Sequence, residues 1–148
     1  MTRLAIVTWI GLVFASGCER SRMDPDQQIA LLDNCEHARR RCLEASREER
    51  EGAITVWVSA VNRANGLCVN DLHDALVSMD DKTHVLALEV TKRIDWRATT
   101  ISLLSDLETA RLSPEQRRRA AATLKALTGQ DFGMDRAGWE AWLRSESR

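Results

Sequence analysis

The chain has 148 residues, the size of one domain, with a formal net charge of −1 and 5% aromatic residues. This near balance of charge gives no electrostatic attraction for nucleic acid, and so few aromatic side chains offer few platforms for stacking bases. The chain has only two prolines and seven glycines, the residues that favour turns. Because good helix formers dominate and no apolar–polar alternation is sustained, we predict an all-helical domain.

The start of the chain, residues 1–18, has the organisation of an export signal. Arg3 provides the positive start, residues 4–14 form an uncharged apolar run, and small residues follow up to Cys18. This run of about eleven residues is shorter than the roughly 20 that a membrane-spanning helix needs. We therefore predict a signal peptide over residues 1–17 rather than a permanent transmembrane anchor.

The stretch Ala15-Ser16-Gly17-Cys18 resembles the lipobox of bacterial lipoproteins, with alanine where that family usually has leucine. In that family the cysteine thiol receives a diacylglyceryl group, the preceding peptide is removed and the new amine is acylated. The resemblance implies lipidation of Cys18, attachment to a membrane through that lipid, and a place in the cell envelope. With Glu19 next, we expect the outer membrane facing the periplasm rather than the inner membrane. The alternative is that Cys18 follows a plain signal peptide.

The mature chain is expected to consist of a short tether and one helical domain. Residues 18–23 are polar and form the predicted tether, and residues 24–148 form the domain. Its first part, residues 24–79, is predicted to be an antiparallel helical hairpin that turns near Gly52. Its second part, residues 82–148, is predicted to contain helices packed in pairs.

Start and stop signals divide this domain into about six helices. Asp24 before a proline predicts the start of the first helix, which is expected to end near residue 49. The second helix is expected to reach residue 79, with a kink or a break at Asn65-Gly66. The expected later helices cover residues 83–94, residues 97–110 with Ile101, Leu104 and Leu107 on one apolar face, residues 114–128, and a last helix after Asp135.

The C-terminal region carries a second resemblance. A loop with Gly129, Phe132 and Gly133 precedes a helix that contains Trp139 and Trp142. This arrangement is similar to the closing repeat of HEAT-like proteins from several bacterial groups, and a weak periodicity of about 33 residues agrees with stacked helix pairs. The resemblance implies that Phe132, Trp139 and Trp142 cap the end of the core, and that the protein serves protein–protein contact or scaffolding.

Three cysteines besides Cys18 lie on the predicted apolar faces. Cys35 and Cys42 would be about 10.5 Å apart along one helix, beyond the roughly 7 Å limit between Cα atoms for a disulfide. In a hairpin that turns near Gly52, Cys35 comes into register with Cys68. We predict a Cys35–Cys68 disulfide and a buried free thiol at Cys42. The alternatives are a Cys42–Cys68 pair, or no disulfide at all.

The sequence contains no motif for catalysis or for a cofactor. The cysteines and histidines lack the short paired spacings of zinc sites, and the three histidines are expected at the surface or in helix caps. No phosphate-binding glycine loop or nucleophile motif is present. We therefore expect a non-enzymatic helical interaction or structural module of the cell envelope, with no metal, cofactor, nucleic acid or small-molecule substrate, and with other envelope proteins as partners. The alternative is a thiol-based redox or metal-binding protein that uses Cys35, Cys42 and Cys68.

Overall fold

The computed structural model describes residues 23–64, 66–108 and 111–146. Within these ranges the chain has seven helices and no strand, which confirms the predicted all-helical class. The helices are α1 (Pro25–Glu44), α2 (Arg50–Arg63), α3 (Val69–Leu76), α4 (Asp81–Thr91), α5 (Trp96–Asp106), α6 (Pro114–Thr128) and α7 (Arg136–Glu146).

The N-terminal predictions lie outside the described residues. These are the signal peptide over residues 1–17, the lipidated Cys18 and the tether up to residue 22. Among the helices that the structure does describe, none combines the length and the apolar character needed to cross a bilayer.

Local signals in the sequence account for the ends of several helices. The Asp24 side chain accepts a hydrogen bond from the backbone of the first turn of α1. At α6, Ser113 and Gln116 form a reciprocal capping box, as predicted from their spacing. The same helix ends at Gly129, whose φ of 74° lies in the left-handed region that glycine adopts without strain.

The predicted second helix is divided in two, so the described chain has seven helices where about six were expected. Helix α2 ends at Arg63 and α3 begins at Val69, because the chain turns at Gly66 with a φ of 84° that no α-helix contains. The first helix also ends earlier than expected, at Glu44. The backbone of Ala45 is extended. In the turn that follows, the Ser46 hydroxyl donates a hydrogen bond to the carboxylate of Glu49.

The helices pack around one core. Helices α1 and α2 form the predicted hairpin, α3 packs against α4, and α5 packs against α6. Contacts of α2 with α4 and of α3 with α5 join these pairs. The largest fully buried side chains come from α2, α3, α5, α6 and α7: Trp57, Leu72, Leu76, Leu103, Leu124 and Trp139. This pairing of successive helices is compatible with the HEAT-like resemblance, which stays a prediction.

Candidate functional site

A groove of about 460 Å³ runs between α5 and α7. Its volume falls within the roughly 300–1,000 Å³ that is usual for sites which take a ligand or a side chain of a partner. We call it the α5/α7 groove. Its lining combines apolar side chains with arginines and carboxylates: Trp96, Arg97, Ile101, Leu104, Arg136, Glu140, Leu143, Arg144 and Glu146.

Two contacts at its ends show that α5 and α7 are antiparallel. The Trp96 ring at the start of α5 stacks on Trp142 near the end of α7, with 6.5 Å between centroids and 16° between planes. At the other end, Nη1 of Arg136, the first residue of α7, lies 2.9 Å from Oε2 of Glu108, which follows α5. The two helices therefore present facing stripes of side chains along the length of the groove.

The floor of the groove is apolar and partly open to solvent. Leu104 is buried and Leu143 is half-buried, whereas Ile101 is 62% exposed, the highest value among the large apolar side chains that the structure describes. The sequence places Ile101 on one apolar face with Leu104 and Leu107. In the structure the two leucines are buried, whereas Ile101 stands at the open side of the groove.

Arginines and carboxylates line the rim. Arg136 binds Glu108 and also donates from Nε to Oε1 of Glu140 at 2.6 Å, and these two hydrogen bonds raise the pKa of its guanidinium. Nη1 of Arg144 lies 3.9 Å from the same Glu140. Within the described ranges the Arg97 side chain has no ion-pair partner, which leaves one cation at the rim available to a ligand or a partner.

An aromatic cluster supports the groove from behind. Phe132 meets Trp139 edge-on with 5.0 Å between centroids, and Trp139 meets Trp142 edge-on at 6.3 Å. Trp139 is fully buried, and its Nε1–H donates to the carbonyl of Gly133 at 3.0 Å. The structure thus brings together the three residues that the sequence assigns to the C-terminal cap. It adds Trp96 to them, which the sequence does not assign to any site.

The cysteines are arranged as the hairpin register predicts. The sulfur atoms of Cys35 and Cys68 are 2.10 Å apart, with 6.5 Å between the Cα atoms, so the two residues are placed for a disulfide. This pair connects α1 to the turn that precedes α3. The alternative Cys42–Cys68 pairing is wrong, because Cys68 is bonded to Cys35 and Cys42 has a free thiol.

The free thiol of Cys42 is fully buried. Burial raises the pKa of this thiol, and the positive charges of Arg50 and Lys82 lower it by less. The reactive form of a cysteine is the thiolate, so a buried, protonated thiol is a poor nucleophile. In the part of the chain that the structure describes, no three histidine, cysteine or acidic side chains are grouped as metal ligands.

The sequence does not predict one side-chain contact between helices. Nε2 of His73 on α3 contacts the carboxylate of Asp106 at the end of α5, and both side chains are nearly buried. The expectation that the histidines lie at the surface or in caps is therefore wrong for His73. The two residues are far apart in the sequence, and no local pattern indicates that α3 and α5 bring them together.

Comparisons with protein-family models, with curated proteins and with solved structures give no significant match. The function is therefore argued from the residues of this chain.

Proposed function

We propose that this protein is a non-enzymatic lipoprotein, tethered to a membrane through lipid on Cys18, that serves as a helical protein-interaction or structural module of the cell envelope. The observation that supports an interaction role is the α5/α7 groove, where the exposed Ile101 lies beside arginine side chains.

The composition of the groove is that of a surface used for binding. Protein interfaces are enriched in aromatic residues and arginine, with an apolar centre and a polar rim. Here Ile101 and Leu143 supply apolar surface, and Arg97, Arg136 and Arg144 line the same groove. A large apolar side chain held open to water in a concave site gains burial only when a partner covers it.

The disulfide supports a location outside the cytosol. Disulfides persist in oxidising compartments such as the periplasm and are rare among cytosolic proteins. The Cys35–Cys68 pair fits the export that the lipobox resemblance implies. With a tether from Cys18 to the start of α1 at Pro25, the chain can span at most about 25 Å, so a lipidated Cys18 would hold the domain close to the membrane surface.

The environment of Cys42 disfavours the redox alternative. A redox thiol that exchanges with a disulfide needs access and a substantial thiolate fraction. Cys42 is fully buried, and its burial raises the pKa of the thiol. Its partner cysteines are already bonded to each other.

The tether is tested by the intact mass of the full-length gene product, extracted from membranes of a lipoprotein-competent bacterial host. We expect a species that begins at Cys18 and carries the mass of its acyl chains. Cys18→Ser should give an unlipidated protein, and the matched variant Cys42→Ser should remain lipidated. An unlipidated native protein contradicts the proposal.

The interaction role is tested by placing a photoreactive amino acid at position 101 in the same host. Position 85 is the matched control, because Val85 on α4 is similarly exposed, at 54% against 62% for Ile101. We expect protein cross-links from position 101 and few from position 85. Equal yields at the two positions contradict a role for the α5/α7 groove.

A further inference from the structure

An exposed stripe of side chains along α5 and just beyond its end has opposite charges at its two ends. Arg97, Ile101, Ser105 and Glu108 are all exposed and are spaced four, four and three residues apart. The two spacings of four place Arg97, Ile101 and Ser105 on one side of α5, over about two turns and about 12 Å, and Glu108 lies two residues beyond the end of the helix. The stripe begins with a cation, has its apolar residue in the middle, and ends with an anion.

Such a stripe is complementary to itself when two copies of the helix lie antiparallel. We propose that the occupant of the α5/α7 groove is a second copy of this chain, related by a two-fold axis that crosses α5 between Ile101 and Ser105. In this arrangement Arg97 faces the partner's Glu108, and the partner's Arg97 faces Glu108. The Ile101 side chain of each copy then lies opposite position 104 of the other copy. A two-fold interface uses the same patch twice, so one stripe supplies both halves.

The charges of the rim favour a second copy over a purely anionic ligand. An anion drawn to Arg97 and Arg144 would also meet the carboxylates of Glu140 and Glu146 in the same groove. A second copy instead brings charges of both signs. Arg97 has no ion-pair partner in the described ranges, and the Glu108 carboxylate, which binds Arg136 with one oxygen, has capacity for a second guanidinium.

The interface is small, so self-association in free solution is expected to be weak. One helix face and one groove are at the low end of specific interfaces, where complexes are transient. If both copies are tethered to one membrane, their effective concentration rises and the same contact becomes populated. The inference rests on the proposed function only in treating the α5/α7 groove as an interaction surface.

The test uses the full-length chain in its host membrane, co-expressed with two different tags, with a photoreactive amino acid at position 105. We expect a product with the mass of two chains that carries both tags. Ile101→Glu should lower the yield of this product by roughly tenfold, as the loss of a central apolar anchor does. The matched variant Val85→Glu, on α4, should leave the yield unchanged.

A charge exchange tests the antiparallel register. Arg97→Glu and Glu108→Arg should each lower the yield of the two-tag product, since like charges then face each other. The double variant should restore the yield, although the contact between position 108 and Arg136 within one chain remains lost. A double variant that stays as low as the single variants overturns the register and with it the inference. All variants must keep native helical circular dichroism and the Cys35–Cys68 disulfide.

The remaining outcomes separate this inference from the proposed function. A cross-linked product of position 105 with another protein, or with a lipid, overturns the second-copy inference. A cross-link with another protein would still support the proposed interaction role. If no product forms at position 105 while position 101 still forms protein cross-links, the second-copy inference fails and the proposed function stands.

Discussion

The indole nitrogen of Trp139 donates a hydrogen bond to the carbonyl oxygen of Gly133, with 3.0 Å between the two atoms. This bond joins the first turns of α7 to the loop before it, in which Gly133 has a φ of 51°. The ring of Trp139 is fully buried against Phe132 and Trp142. The position of α7, and therefore one wall of the α5/α7 groove, depends on this contact.

We expect Trp139→Phe to lower the free energy of unfolding by about 2 kcal/mol, because it removes the donor and leaves part of the ring volume empty. The matched variant Trp142→Phe should lose about 1 kcal/mol or less, since Trp142 is half-buried. Urea unfolding followed by circular dichroism measures both. Equal losses would show that the fully buried ring and its hydrogen bond are not the main support of α7.

The loop glycine is expected to matter through its backbone conformation. Gly133→Ala should lower the free energy of unfolding by about 1–2 kcal/mol, because an L side chain is strained at this φ even though the space around it is open. Gly52→Ala is the opposite control. Gly52 lies in α2 without a left-handed φ and with nothing near an added methyl group, so alanine there should raise the free energy of unfolding by about 0.5–1 kcal/mol. The same sign for both variants would contradict this account.

The disulfide is expected to be the main covalent support of the first hairpin. Reduction should lower the free energy of unfolding by about 2–4 kcal/mol, because the bond joins two residues that are 33 positions apart in the unfolded chain. The double variant Cys35→Ser with Cys68→Ser should show this loss without reductant and should not respond to it.

Cys42→Ser provides the comparison for that measurement, since it should keep the full response to reductant. Among the cysteines that the structure describes, an alkylating agent should label only Cys42 in the native protein without reductant, and only as fast as the protein unfolds, because this thiol is buried. Rapid labelling in the folded state would favour the redox alternative.

The part of the fold that could be predicted is the part specified by neighbouring residues. Ser113, Gln116 and Gly129 mark the two ends of α6, and their signals act within one helical turn. The division at Gly66 is not specified in this way, because a single glycine inside a helix costs only about 1 kcal/mol and can be tolerated. The sequence therefore does not distinguish a kink from a break at this position.

The candidate site could be predicted only in fragments. Trp139 and Trp142 share a helix face, so the aromatic cluster follows from their spacing together with the preceding loop. The groove itself depends on how α5 packs against α7, and no local pattern encodes that arrangement. Apolar periodicity places Ile101 on the same face as Leu104, but it does not distinguish a core residue from one at the edge of that face.

The carboxylate of Asp71 on α3 gives a pH dependence whose sign is unusual for an acidic residue. Its Oδ1 lies 2.8 Å from Nη1 of Arg39, but its Oδ2 is buried with no hydrogen-bond partner in the described ranges. Burial raises the pKa of Asp71 above its ordinary 3.8, and the nearby Arg39 offsets only part of that rise. The folded state therefore holds this proton to a higher pH than the unfolded state does. The ionised form subtracts from stability above the folded pKa, and the penalty disappears as the pH falls below 3.8.

We therefore expect Asp71→Asn, which imitates the protonated form, to gain stability relative to the native protein as the pH rises from about 3 to about 7. Asp80→Asn should show the opposite trend. Hydrogen bonds from the side chain and backbone of Thr83 lower the pKa of Asp80, so its charge stabilises the fold above 3.8 and that contribution is lost as the pH falls through the folded pKa. Urea unfolding of the three proteins at several pH values measures both differences. If Asp71→Asn instead loses stability as the pH rises, the ion pair with Arg39 outweighs the burial of the carboxylate, and the assignment of the raised pKa to burial is wrong.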